Sequence, residues 1–163
     1  MGVAVIIQYA RLYPDHAQAL VFVDGSVTMP PNARDSMLSF ARKYAGSSKA
    51  REAMVQAMFS LTTSQEVRKL VLSMTLAAPA ATAVGMMEAY VDPAIWKEDV
   101  FRLPVLGVYA SLTTADRESD REYMKTRFPK LKLVNVPATG HFLMLERATE
   151  FNRLLESFLD NLK

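Results

Sequence analysis

The stretch Ala19-Leu-Val-Phe-Val-Asp24 is a continuous apolar run of strand length, and Gly25-Ser26 follows it directly. A strand without polar alternation is typical of a parallel sheet whose two faces are both covered by helices. Two later runs, residues 105–110 and 131–136, have the same character. Helical patterns lie before, between and after these runs, at residues 3–13, 116–128 and 146–162. This alternation predicts an α/β fold with about three parallel strands flanked by helices.

A long helical segment separates the first strand from the second. Residues 30–99 contain no strand candidate, and helical patterns run over 33–45, 48–60, 64–76 and 80–90. Ser48 and Ser64 stand where N-caps are expected. The sequence therefore divides into the start of an α/β body at 1–29, an all-helical insertion at 30–99 and the rest of the body at 100–163.

Composition places the chain among ordinary folded proteins. Its 163 residues are 50% hydrophobic and 22% charged, which excludes wholesale disorder and is enough for one core. The net charge of +2 comes without a run of Lys or Arg, so no nucleic-acid partner is expected. No stretch reaches the ~18–20 continuous apolar residues of a membrane helix, and the apolar start lacks the other parts of a secretory signal. We therefore expect a cytoplasmic protein that does not contact a membrane.

The residue types present also limit the chemistry. The chain has no cysteine, which excludes disulfides, thiolate metal sites and a cysteine nucleophile. The sequence has neither a metal-ligand cluster nor a phosphate-binding glycine-rich loop, so no metal and no cofactor are predicted. Any imidazole chemistry must use His16 or His141, the two histidines of the chain. His16 follows Pro14-Asp15 in an expected surface turn, where an inert side chain is the simplest interpretation.

Two blocks of the sequence resemble the α/β-hydrolase family. The first is Val3-Ala-Val-Ile-Ile-Gln-Tyr-Ala-Arg-Leu-Tyr-Pro-Asp15 with the strand after it, which resembles the helix following the family's nucleophile elbow and the next core strand. The second runs from Leu103-Pro-Val-Leu-Gly-Val-Tyr109 through Val136-Pro-Ala-Thr-Gly-His-Phe-Leu-Met-Leu-Glu146 to Phe158-Leu159. It is similar to the family's last two strands, catalytic-histidine loop and closing helix. The resemblance covers the whole chain and implies that residues 30–99 are a helical cap domain.

The resemblance also implies that part of the family's fold is missing. In the family, a serine in a Gly-x-Ser-x-Gly turn stands between a strand and the first of these helices. Met1-Gly2 aligns with the end of that turn, so the serine would precede Met1. We therefore expect a partial α/β-hydrolase fold, without the first strands, the oxyanion loop and the elbow serine.

A missing neighbouring strand predicts a homo-oligomer. In the family's sheet order, the strand from Ala19 to Asp24 would pair with a strand of the missing part. Its free edge is apolar and carries no lysine or proline, which makes it a template for pairing with another chain. We expect a partner copy to cover this edge and the face of the helix from Val3 to Tyr13, because a monomer would expose a large apolar patch.

The resemblance assigns the general base to His141, which would take a proton from a nucleophile and return it to the leaving group. The alternative is a loop histidine that hydrogen-bonds to backbone. For the acid that orients this histidine, the resemblance favours Asp24, at the end of the first strand. Asp116 and Asp120 are the alternatives, because the family often places its acid after the strand that ends here at Ala110.

Two serines are candidate nucleophiles. Ser26 and Ser111 each follow a predicted strand, and the carboxyl ends of parallel strands are where the sites of α/β proteins gather. The alternative for both is a turn residue whose hydroxyl hydrogen-bonds to its own backbone.

The resemblance implies an esterase-like hydrolase of small apolar carboxylic esters, working by acyl transfer without a cofactor. The methionine-rich insertion would then roof an adaptable pocket for an acyl ligand, although simple core packing explains the methionines as well. Two other functions stay open: a non-catalytic binding protein, and one half of a split hydrolase that is completed by an N-terminal chain carrying the serine. Fold alone does not decide among them.

Overall fold

The structure is a computed structural model, and it describes residues 1–29, 32–45, 47–110 and 118–162. The chain forms two compact units. The first, the α/β body, consists of Met1–Val27 and Glu98–Lys163; the second, the helical unit, is Thr28–Lys97.

The α/β body is built on three parallel strands, as the apolar runs predict. They are β1 (Leu20–Val23), β2 (Val105–Ala110) and β3 (Leu131–Val136), in the order β1-β2-β3. In the register of the sheet, Leu20 lies opposite Val105, which in turn lies opposite Leu131. All six residues of β2 are buried, because this strand is paired on both edges and covered on both faces.

The helices of the body are α1 (Gly2–Leu12), α6 (Glu118–Arg127), α7 (Leu143–Glu146) and α8 (Ala148–Asp160), and those of the helical unit are α2 (Ala33–Ala45), α3 (Ser48–Gln56), α4 (Gln65–Ala77) and α5 (Ala80–Tyr90). Short 3-10 turns lie at Pro14–His16 and Pro93–Ile95. Among the described residues no single helix is long and apolar enough to cross a membrane; α4 and α5 meet that test together, as a pair bent by 91°.

Two hydrophobic clusters cover the two faces of the sheet, since successive residues of a strand point to opposite sides. On one face, Phe22 and Phe128 meet edge to face with ring centroids 5.0 Å apart, and α1 contributes Val3 and Ile7. On the other face, α8 contributes Phe158 to a cluster with Leu106, Val108, Val136 and Leu143.

Three features of the helices differ clearly from the sequence prediction. The helix predicted over 146–162 is α8, which begins at Ala148 because the backbone at Arg147 leaves the helical region with φ −130° and ψ 47°; the short helix α7 before it was not predicted. Ser64 is the predicted N-cap and accepts from the N–H of Val67, but the prediction of Ser48 as a cap was wrong, because Ser47 accepts from Ala50 instead. The helix predicted over 48–60 ends at Gln56.

One buried arginine contacts the two segments of the body that flank the helical unit in the sequence. Arg127 is 3% exposed, and its guanidinium donates to the carbonyl of Val27 at 2.7 Å and to that of Asp99 at 3.3 Å. Val27 is the last residue before the helical unit and Asp99 lies just after it. Carbonyl partners satisfy a buried guanidinium that would otherwise be costly to remove from water.

The outer edge of β1 has no strand beside it among the described residues. The N–H groups of Leu20 and Asp24 donate toward β2, to Pro104 at 3.0 Å and Val108 at 2.9 Å. Backbone groups alternate sides along a strand, so those of Val21 and Val23 point to the open edge.

An open cavity of about 540 Å³ follows this edge. Its apolar lining comes from Ile6 and Tyr9 of α1, from residues 19–21 and from Leu159 and Leu162, and the polar residues His16 and Gln18 line it as well. The cavity is therefore a mostly apolar slot beside the open edge of β1.

Candidate active site

An aspartate and a histidine meet at the carboxyl edge of the sheet. Asp24 directly follows β1, and His141 lies five residues after the end of β3. The Nδ1 atom of His141 is 2.7 Å from Oδ2 of Asp24. The aspartate side chain is 1% exposed, whereas the histidine side chain is 42% exposed. The pair therefore has a buried acid and an imidazole that solvent or a ligand can reach.

The carboxylate of Asp24 is held at both oxygens. Oδ1 accepts from the N–H of Ala110 at 2.9 Å, while Oδ2 faces the histidine. The backbone of Asp24 has a φ of 45°, in the left-handed region that residues other than glycine rarely adopt. Such a conformation persists only where the surroundings determine it, and here the backbone bond to Val108 and the two carboxylate bonds do so.

This contact determines which histidine nitrogen carries the proton. An ionised carboxylate only accepts hydrogen bonds, so Nδ1 of His141 is the donor toward Asp24. In the neutral ring Nε2 then has a free lone pair. A histidine held in this way is equipped to act as a general base, with the carboxylate stabilising the imidazolium that forms.

The histidine loop is shaped by three local features. Ala138 has a φ of 57°, and the hydroxyl of the fully buried Thr139 donates back to the carbonyl of Val136 at 2.7 Å. The N–H of Gly140 donates to the carboxylate of Glu146, at 3.1 Å to Oε2 and 3.3 Å to Oε1. Glu146 belongs to the block that resembles the family, but no residue pattern marks it as a partner of Gly140.

A buried tyrosine supports the turn after Asp24. The hydroxyl of Tyr109 donates to the carbonyl of Gly25 at 2.8 Å. Burial, and to a smaller extent the negative charge of Asp24, raises the pKa of Tyr109 above its ordinary value, so the hydroxyl stays protonated and remains a donor. Tyr109 was not predicted as a site residue, because the strand pattern accounts for it fully as a core position.

The other predicted site residues do not join the pair. Ser26 is exposed, and the described part of the chain contains no hydrogen bond between it and His141. Ser111 and Asp116 lie outside the described residues, and the structure describes the backbone of Asp120 in α6 but not its side chain. His16 lies in the 3-10 turn, next to the ring of Tyr13. Asp24 is thus the one candidate acid that the described structure pairs with His141.

Comparison with solved structures establishes the fold. A thermophilic esterase from Thermogutta terrifontis superposes with a TM-score of 0.76 at 22% identity, covering 99% of this chain and 62% of that chain. An enol-lactonase from Burkholderia xenovorans LB400 gives a TM-score of 0.72 at 16% identity, with coverages of 98% and 63%. The chain has a partial α/β-hydrolase fold.

The similarity is one of fold, at low sequence identity and over part of each matched structure. Est816, described as an N-acyl homoserine lactone degrading enzyme, matches with a TM-score of 0.67 at 23% identity and coverages of 96% and 64%. The chain therefore spans slightly less than two thirds of the length of these α/β-hydrolase structures. No protein-family model matches the sequence, and no curated protein does.

Proposed function

We propose that the protein hydrolyses small apolar carboxylic esters, with His141 as the general base and Asp24 as the acid that orients it. The observation that carries this proposal is the 2.7 Å contact between a buried carboxylate and an accessible imidazole at the carboxyl edge of the sheet. The similarity to an esterase, a lactonase and Est816 supports hydrolysis of an acyl–oxygen bond as the reaction class.

The reaction consists of two acyl transfers. Nε2 of His141 removes the proton of a serine hydroxyl while its oxygen attacks the ester carbonyl, and the imidazolium then gives that proton to the departing alcohol. Water attacks the resulting acyl-enzyme with His141 again as base, which releases the carboxylic acid and restores the serine. Asp24 keeps Nδ1 protonated and stabilises the imidazolium in both steps. We propose Ser26 or Ser111, which follow β1 and β2, as the serine.

A fluorophosphonate probe tests this mechanism, together with hydrolysis of p-nitrophenyl butyrate. We expect one labelled serine in the wild type, and loss of both label and turnover in His141→Ala. Asp24→Asn should lower turnover by roughly 10³–10⁴, because the amide favours the wrong histidine tautomer. His16→Ala is the matched control and should behave as the wild type. A His141→Ala protein that is labelled and turns over as the wild type does would overturn the proposal.

A second candidate is a hydrolase completed by another polypeptide. Three observations favour it: the open edge of β1, the apolar slot beside it, and the exposed side chains of Val5, Tyr9 and Leu12 on α1. Exposed apolar surface of this kind marks an interaction site. In this candidate, the partner would supply a strand next to β1 and the nucleophilic serine.

The same probe separates this candidate from the first. Label on a serine of a co-purifying polypeptide, instead of on this chain, would support the split enzyme. Light scattering distinguishes that complex from self-association through the same edge, which the sequence predicts and which would give an integral multiple of the chain mass. A folded protein with no label on any chain would contradict both catalytic candidates and favour a binding protein.

A further inference from the structure

The residue before His141 is tied to the residue that ends the next helix. The N–H of the buried Gly140 donates to both carboxylate oxygens of Glu146, at 3.1 and 3.3 Å. Glu146 is the last residue of α7, a short helix that begins at Leu143, two residues after His141. The bond closes a ring of chain that contains the histidine.

This bond satisfies a buried backbone group next to the histidine. A buried backbone N–H needs an acceptor, and a carboxylate forms a stronger hydrogen bond than a neutral carbonyl. Upstream, the loop passes through Ala138 in the left-handed region, and the hydroxyl of Thr139 restrains only the segment back to Val136. The carboxylate of Glu146 directly restrains the backbone immediately before His141.

We propose that Glu146 is a positioning residue for His141. By holding the N–H of Gly140, its carboxylate fixes the loop so that Nδ1 stays within 2.7 Å of Asp24. Without it the imidazole rotates away, Nδ1 loses its acceptor, and the ring populates both neutral tautomers. The effect on turnover rests on the proposed ester hydrolysis, whereas the effect on the Asp24–His141 contact does not.

Nuclear magnetic resonance of the histidine ring measures that contact directly. The chain has two histidines, so in protein labelled with ¹⁵N-histidine the hydrogen-bonded Nδ1 proton of His141 is assigned by its loss in Asp24→Asn. In Glu146→Ala we expect this proton to exchange rapidly with water and its signal to broaden beyond detection. Glu146→Gln keeps an oxygen acceptor and should retain the signal. Glu150→Ala removes an exposed glutamate from the first turn of α8 and should also retain it.

Kinetics give the second measurement. In Glu146→Ala we expect kcat for p-nitrophenyl butyrate to fall by roughly 10- to 100-fold with KM little changed, since small misplacements of a catalytic group have costs of this order. If Glu146→Ala does not fold, Glu146→Asp replaces it. Its carboxylate is one methylene shorter, and it should show faster Nδ1 proton exchange in a folded protein.

The two measurements separate the two proposals. A persistent Nδ1 proton signal in folded Glu146→Ala or Glu146→Asp would overturn the positioning role, whatever the turnover. A wild type that shows the expected signals but hydrolyses no ester would overturn the proposed function and leave the positioning role standing.

Discussion

In the α/β body every residue of β2 is buried and two phenylalanines, Phe22 and Phe128, are fully enclosed, whereas the described helices of the helical unit bury only small or β-branched hydrophobic residues. In that unit Ala41, Val55 and Val71 are the buried hydrophobic positions of α2, α3 and α4. Several of its larger apolar side chains are exposed, namely Phe40, Leu61, Leu70, Met74 and Met86, and Leu61 is exposed completely. In a sheet covered on two faces, the side chains of the strands must pack closely against helices on both sides. A short helix that buries only a narrow stripe places few constraints on its remaining side chains.

The largest test of this contrast replaces one phenylalanine in each unit. Phe22→Ala should lower the free energy of unfolding by about 3–5 kcal/mol, because it removes a fully buried ring and its edge-to-face contact with Phe128. Phe40→Ala, at a ring that is 41% exposed, should lower it by less than about 1 kcal/mol. Urea denaturation measures both, and equal losses would contradict the contrast.

A pair of glycines sharpens the comparison by giving effects of opposite sign. A Cβ at Gly25 would lie 2.5 Å from Cγ2 of Val3, so Gly25→Ala should destabilise the body by about 1–3 kcal/mol. Gly85 lies inside α5 with nothing within 4 Å of such a Cβ, so Gly85→Ala should stabilise the protein by about 0.5–1 kcal/mol.

The Val3→Ala background is the control for Gly25. If steric overlap is the cause, the effect of Gly25→Ala should be smaller in the Val3→Ala background, because the truncation removes Cγ2 at 2.5 Å but keeps Cβ at 2.9 Å. Chemical denaturation of the two single variants and the double variant measures this coupling. Strict additivity would show that the overlap with Val3 is not what disfavours a side chain there.

The smallest predicted effect is a pH-dependent loss of stability in the α/β body. Tyr109→Phe removes the hydrogen bond to Gly25 and should lower the free energy of unfolding by about 1 kcal/mol near pH 8. Because the folded state raises the pKa of Tyr109, the neutral hydroxyl contributes fully below about pH 10, where an unfolded tyrosine titrates, and this contribution is lost as the pH rises further. The difference between the wild type and Tyr109→Phe should therefore narrow above pH ~10.

A serine of the helical unit supplies the control for that prediction. Ser64→Ala removes the N-cap of α4 and should lower the free energy of unfolding by about 1 kcal/mol, and a serine hydroxyl does not titrate in this range. Thermal unfolding between about pH 8 and 11 should show a constant loss for Ser64→Ala and a shrinking loss for Tyr109→Phe. Parallel curves for the two variants would contradict the role of the tyrosine hydroxyl.

The regular elements were well predicted from the sequence, because their determinants are local. β2 and β3 begin and end at the predicted residues, as do α2 and α5. Unbroken apolar runs and clear breaker residues mark these bounds. The break at Arg147 and the early end of α3 were not predictable in this way, since no proline or glycine marks either position.

The candidate site was predictable only in part. Family resemblance pointed to His141 and placed Asp24 before Asp116 and Asp120 as its acid, and the described structure puts Asp24 and His141 in contact. Their catalytic roles stay a prediction. The contributions of Glu146 and Tyr109 depend on the path of the loop through Ala138 and on the turn at Gly25, and no residue pattern encodes either one.

The hydrogen bonds of Arg127 to both flanking segments make the helical unit an insertion between two fixed points of the body. Because one guanidinium holds the carbonyls of both Val27 and Asp99, the chain leaves the body and re-enters it within the reach of a single side chain. The entropic cost of closing a loop between two such fixed points grows only slowly with the length of the loop. We therefore expect that residues 28–97 can be lengthened, shortened or replaced by a short linker with little change in the path of the chain through the body.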